Sequence, residues 1–207
     1  MRSILTLSLA GAVMAISTVA QAASGILFIN KQKYSEENTF ICMDGKHEVD
    51  KAYKGQSVQT YDCDFGRDQF YSFYKNNRKI SIDSSVFNEP FAVHGNMKLQ
   101  YMGKLANYIE NKYFGDPWFE IRPVYDENLC LDTSGYDGAP KRNVQFWNCE
   151  GMADQLWRFD GAGRIINKKQ GKCLDVAGHS GGRRNNIMLY DCDGGLDQEW
   201  YYTPWTK

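Results

Sequence analysis

"CLDVAGHSGGRRNNIMLYDCDGGLDQEWYY", residues 173–202, is the stretch that decides how this chain folds. It opens on Cys173-Leu174-Asp175, sets Tyr190 two positions before Cys192, and closes on Asp197-Gln198-Glu199-Trp200. The order is not an accident of one segment, because "CLDTSGYDGAPKRNVQFWNCEGMADQLWRF" repeats it from Cys130, 43 positions earlier. Both cysteine pairs are 19 positions apart, Trp147 stands for Tyr190, and Asp154-Gln155-Leu156-Trp157 stands for the closing tetrad. A third copy, "CMDGKHEVDKAYKGQSVQTYDCDFGRDQFYSF", starts at Cys42. Its cysteines are 21 apart, and it offers Asp44, Tyr61 and Asp68-Gln69-Phe70-Tyr71. A pattern recurring at a near-constant interval marks one supersecondary unit used several times.

The repeat also organises the cysteines. Six of them allow about 15 pairings, which spacing alone does not narrow. Three copies of one pattern favour pairing within each copy: Cys42–Cys63, Cys130–Cys149 and Cys173–Cys192. Closing a loop of about 20 residues stabilises by roughly 3 kcal/mol in the chain-entropy model. A unit of about 40 residues needs that help, since it buries too little apolar surface alone. Within a copy, "IIN", "KCLDV", "IMLY" and "EWYYT" are short apolar or alternating runs between Gly-, Asn- and Asp-rich turns. Brief strands at such intervals, with little helical periodicity, predict an all-β barrel or sandwich.

Upstream, "MRSILTLSLAGAVMAISTVAQA" has a charged start, an apolar run from Ile4 to Ala20 and an Ala20-Gln21-Ala22 ending. That is the layout of a signal peptide over residues 1–22, so a secreted, extracellular or periplasmic product is expected. Disulfides fit an oxidising compartment. The chain carries 24 basic and 25 acidic residues, so no basic face argues for a nucleic-acid partner. After signal cleavage, no later segment is apolar enough to predict a membrane span.

The Cys-Leu-Asp openings, the aromatic-x-Cys centres and the Gln-x-Trp endings resemble the repeats of the ricin-B-type (R-type) lectin family. The resemblance covers residues 24–76 and about 119–204, with Gln69-Phe70-Tyr71 replacing Gln-x-Trp in the first copy. It implies a β-trefoil of three disulfide-closed repeats, at about 24–76, 119–160 and 161–204, forming one domain over residues 23–207. Residues of about 79–118 are surplus to that pattern, since Cys130 follows Cys42 by 88 positions. Within them "MKLQYMGKLANYIENKYFG" sets Leu99, Met102, Leu105, Ile109 and Tyr113 at helical steps, predicting a short amphipathic helix. Two assignments are open: an insertion between the first and second units, or a cysteine-free degenerate unit with residues 24–76 as the extra piece. Cys130 follows Trp118 by only 12 positions, whereas Cys173 follows Trp157 by 16, which favours the insertion.

A sugar offers vicinal hydroxyls on an edge and C–H bonds on a face. A carboxylate accepts from hydroxyls, and charged acceptors bond more strongly. An aromatic ring covers the C–H face, and an amide both donates and accepts. The resemblance assigns these roles to Asp44, Tyr61, Asp68 and Gln69; to Asp132, Trp147, Asp154 and Gln155; and to Asp175, Tyr190, Asp197 and Gln198. Gln59 and Gln145 lie upstream on the aromatic strand, where the third copy has Met188, so the second pocket reads as the fullest and the third as weaker. Galactose-type glycans are the implied ligands, although galactose-binding members often have Asn where this chain has Asp68, Asp154 and Asp197.

Nothing in the chain reads as an enzyme. "GHSGG", residues 178–182, matches a nucleophile-elbow pattern, which needs a strand before it and a helix after it. Here it falls in a polar turn inside a cysteine loop. His47, His94 and His179 are the three histidines, and no metal or cofactor spacing is present. "DCDFGRD" and "DCDGGLD" are acidic but lack an EF-hand loop. The alternative to a free lectin is the binding subunit of a secreted toxin, resembling those of cytolethal distending toxins, with Trp118, Tyr101, Tyr108 and Tyr113 docking a partner protein.

Overall fold

The computed structural model describes residues 25–46, 52–90, 92–94, 97–133, 142–179 and 181–205. The expected signal peptide, His47 and Ser180 lie outside them. Three units of four strands make up the fold. The first contains β1 (Gly25–Asn30), β2 (Ile41–Gly45), β3 (Val58–Asp62) and β4 (Phe70–Lys75), with helix α1 (Lys31–Glu37) after β1. Between the first and second units the chain forms β5 (Arg78–Lys79), β6 (Ala92–His94), β7 (Met97–Tyr101) and α2 (Met102–Lys112). The second unit is β8 (Glu120–Pro123), β9 (Leu129–Thr133), β10 (Arg142–Asn148) and β11 (Trp157–Phe159). The third is β12 (Ile165–Asn167), β13 (Cys173–Val176), β14 (Ile187–Tyr190) and β15 (Trp200–Trp205).

The outer strands of each unit close a barrel. β1 pairs β15 and β4, β4 pairs β8, and β11 pairs β12, all antiparallel. Bridges Phe119↔Trp157 and Arg164↔Glu199 complete the ring, so β1, β4, β8, β11, β12 and β15 leave no gap. The inner strands form three hairpins over one end, each stapled at its base by Cys42–Cys63, Cys130–Cys149 or Cys173–Cys192. This is the β-trefoil.

Packing inside the barrel follows from the repeat. Tyr71, Trp157 and Trp200, the last residues of the three Gln-x-aromatic motifs, are fully buried. The indole Nε1 of Trp157 donates to Leu131 O at 2.9 Å, and that of Trp200 to Leu174 O at 3.4 Å, tying barrel to hairpin. Tyr71 has no indole, and its hydroxyl donates instead to Asp68 O at 3.4 Å. Phe73, Phe119 and Phe159, one aromatic group deeper, stand 4.7–5.4 Å apart in tilted and edge-on contacts. Such pairs add stability beyond their area.

The inserted segment covers the barrel's flank. Asn76 and Asn77 both take positive φ (49° and 59°), the backbone that a two-residue hairpin turn between β4 and β5 requires. β7 adds to the free side of β15, with Tyr201 opposite Tyr101 and Tyr202 opposite Gln100. The expected helix is α2, which buries Met102, Leu105 and Ile109 against the core; Leu99 belongs to β7 instead, and Tyr113 follows the helix end. Leu99 and Met102 are both buried and three positions apart, so the helical spacing ran on into the end of the strand.

Candidate functional site

Strand alternation sets the geometry of each hairpin. In β14 the run Ile187, Met188, Leu189, Tyr190 buries its first and third residues and leaves the second and fourth half-buried on the outer face. The cross-strand register is the same in every unit. Asp44 stands opposite Gln59 and Cys42 opposite Tyr61; Asp132 opposite Gln145 and Cys130 opposite Trp147; Asp175 opposite Met188 and Cys173 opposite Tyr190. Each aspartate is thus directly across from the upstream residue and diagonal to a half-buried aromatic ring.

The Gln-x-aromatic glutamine comes up from below and holds the aspartate. Gln69 Nε2 donates to Asp44 Oδ2 at 3.0 Å, Gln155 to Asp132 at 3.0 Å and Gln198 to Asp175 at 2.9 Å. The second N–H of each amide goes to a strand carbonyl: Asp62 O, Asn148 O and Asp191 O, at 2.7–2.8 Å. Their Oε1 atoms accept backbone N–H groups of Asp64, Glu150 and Asp193. All three glutamines are wholly enclosed. Both N–H groups of each amide are thus taken by the chain, and the glutamines hold the aspartates in place.

The other carboxylate oxygen distinguishes the units. Gln59 donates to Asp44 Oδ1 at 3.3 Å and Gln145 to Asp132 Oδ1 at 3.4 Å. Met188 cannot donate, and the buried Asp175 Oδ1 has no hydrogen-bond partner. The units therefore differ in how many donors each aspartate holds, two in the first and second and one in the third. A glutamine upstream fills an acceptor, and its absence leaves one open. Burial pushes the Asp44 carboxyl up to about 7 and that of Asp132 to about 6, against the lowering effect of their glutamines. Asp175 is also raised, first by burial, with Asp197 adding to it.

Asp68, Asp154 and Asp197 lie close enough to push their neighbours' carboxyls upward, yet two are committed elsewhere. Asp154 pairs with Lys169 at 3.2 Å and Asp197 with His179 Nδ1 at 2.6 Å, both carboxylates being buried. Asn167 and Asn30 each donate to the backbone carbonyl of one of them, at 2.8 and 3.1 Å. Gly178 and His179 form the turn after β13 at positive φ (89° and 51°), and the chain runs on into β14 rather than a helix, unlike a nucleophile elbow. Among the described residues, a grouping at metal-ligand distances, Glu120 with Cys130 and Cys149, uses sulfurs already joined in a disulfide.

Sequence reasoning missed two residues here. Lys54 Nζ lies over the Trp147 ring, 4.1 Å from its centroid. Arg183 lies over Tyr61 at 4.8 Å and donates to its hydroxyl at 3.0 Å. Each comes from the neighbouring unit's hairpin. A signal was present: both stand nine positions before the second cysteine of their own copy.

Comparison with known proteins agrees with this geometry. Residues 117–207 match the family model of the ricin-type β-trefoil lectin domain. No curated protein sequence matches the chain. Among solved structures, the designed threefold-symmetric protein ThreeFoil superposes with a TM-score of 0.60 at 17% identity, covering 87% of this chain and 98% of that one. The exo-β-1,3-galactanase 1,3Gal43A from Clostridium thermocellum gives 0.58 at 15% identity; 87% of this chain is covered but only 30% of the enzyme. The β-trefoil lectin of the Vibrio vulnificus hemolysin/cytolysin, solved with N-acetyl-D-lactosamine bound, gives 0.51 at 14% identity over 88% and 96% of the two chains. The protein is thus a β-trefoil, and its residues 117–207 match the ricin-type β-trefoil lectin domain.

Proposed function

We propose that this chain is an exported glycan-binding protein whose ligands are galactose-type saccharides, held at the hairpin pockets by aspartate and aromatic side chains. The observation that carries the reading is Asp175: a buried carboxylate, fixed by Gln198 through one oxygen, with no donor for the other. A buried acceptor without a partner is destabilising by about 1–3 kcal/mol, and a ligand hydroxyl removes that penalty. Met188, directly across the hairpin, is an adaptable side chain that can shift to admit it. Tyr190, half-buried on the same outer face, offers its ring to a C–H face. Three disulfides favour a chain working outside the reducing cytosol. The bound N-acetyl-D-lactosamine of the Vibrio relative and the galactan substrate in the galactanase's name support the galactose-type class.

The test is a glycan array with the full chain, followed by titration with lactose. Galactose-terminated glycans are expected to bind, and Asp175→Ala to lose that binding while circular dichroism shows it still folded. An array without any galactose-type signal would end the reading.

A second reading is that the chain serves a toxin as its binding subunit, and the inserted segment favours it. Val93, Tyr101 and Phe114 are 59%, 54% and fully exposed there, and the Vibrio relative is the lectin part of a hemolysin. Copurification of a partner protein that Tyr101→Ser with Phe114→Ser releases would separate this from a free lectin.

A further inference from the structure

The three hairpins do not stand apart; each lies along the aromatic strand of a neighbour. Gly55 N donates to Phe146 O at 2.8 Å, bringing the first unit's loop beside Trp147. At the equivalent place Arg184 N donates to Thr60 O at 2.6 Å, bringing the third unit's loop beside Tyr61. The second unit reaches the third by the same scheme, with Asn143 opposite Met188. The overlap is therefore cyclic, and it fixes what sits over each ring. The residue before the donor is Lys54 in one loop and Arg183 in the other, and each places its charge on the ring that follows the acceptor.

We propose that Lys54 and Arg183 are specificity-determining caps that occupy the aromatic faces of the second and first pockets, so that the third pocket fills first. This rests on the pocket reading given above. A cation held on a ring face by the quadrupole occupies the position a sugar's C–H face needs, so the saccharide binds only by displacing it. Arg183 is held further by its bond to the Tyr61 hydroxyl and by Asp62, 3.1 Å from its Nε. The corresponding position in the second unit is Pro140, which has no charge to place. Among the described residues, no cation lies over Tyr190. The same two units are those whose aspartates already accept from two glutamines, whereas Asp175 keeps an open oxygen. Cap and filled acceptor thus coincide in two units, and among the described residues neither is found in the third.

Lactose titration of the full chain, followed by NMR at the Trp147 indole N–H and the Tyr61 and Tyr190 rings, tests this. In the unsubstituted protein the Tyr190 signals are expected to move at the lowest lactose concentration. Lys54→Ala is expected to tighten the response at Trp147 by about 2–5-fold, the worth of an exposed cation–π contact expressed as an affinity ratio. Arg183→Ala should do the same at Tyr61, and neither should change Tyr190. Both residues are exposed, so the fold tolerates their loss. An unchanged response at Trp147 and Tyr61 overturns the caps while leaving the third pocket standing. A weaker one also overturns them, because it makes Lys54 and Arg183 ligand contacts. Lactose moving none of these signals in any variant fails the pocket reading itself, and the caps with it.

Discussion

Gln198 grips Asp175 by one carboxylate oxygen at 2.9 Å, and the residue across the hairpin, Met188, gives the other oxygen nothing. The first two units supply a glutamine at that place. Met188→Gln is therefore expected to raise stability by about 1 kcal/mol, the usual net worth of a hydrogen bond. It should also weaken lactose binding at Tyr190, because the ligand's acceptor is taken. Chemical denaturation and the titration read the two effects separately; a variant that gained both stability and affinity would contradict the assignment.

Removing a positioning glutamine should be more damaging than removing an exposed charge. Gln155→Leu strips a donor from Asp132, a donor from Asn148 O and an acceptor from Glu150 N in one step. A loss of roughly 2–4 kcal/mol is expected, since buried groups are left unpaired. Urea denaturation compared with Lys54→Ala, expected within about 0.5 kcal/mol of the parent, checks it.

Acid should stabilise these hairpins rather than weaken them. Asp44 and Asp132 have carboxyls raised to about 7 and about 6 by burial, so the folded state binds protons that the unfolded state has released. Their contribution is complete below the ordinary carboxylate range, near pH 4, and is lost as pH rises through 6 to 7. Between pH 5 and pH 8 the melting temperature is expected to fall, and Asp44→Asn to shrink that fall by several degrees. A fall of equal size in the variant would show that Asp44 is not its source.

Each disulfide closes one hairpin, so replacing one pair by serines should destabilise by about 3 kcal/mol. Cys173→Ser with Cys192→Ser should also loosen the lactose response at Tyr190, since Cys173 and Tyr190 are cross-strand partners. Calorimetry and NMR on that variant measure both.

Much of this architecture could be read from the chain because its determinants are local. Cys-Leu-Asp, the aromatic two before the second cysteine and Gln-x-Trp fall within a single hairpin and its flanking strands, so their spacing fixes the register of β13 on β14. α2 was legible from Met102, Leu105 and Ile109 for the same reason. Gln155 and Gln198 read in sequence either as ligand donors or as braces of the backbone, and their three bonds show them spent on the chain. What escaped was non-local. Lys54 and Arg183 look like ordinary loop charges until the neighbouring unit's ring lies beneath them.

The pairing of β1 with β15 has a consequence for how the protein is made. Gly25 and Trp205, which stand opposite each other, are the first and last described residues, and their strands share six residue pairs. Translation delivers β1 long before its partner β15, and β7 waits for that same strand. The disulfides, by contrast, join residues 19 or 21 positions apart, so each staple is available as its hairpin emerges. Oxidation can therefore run ahead of closure, and a nascent chain carries finished hairpins around an open barrel until β15 arrives.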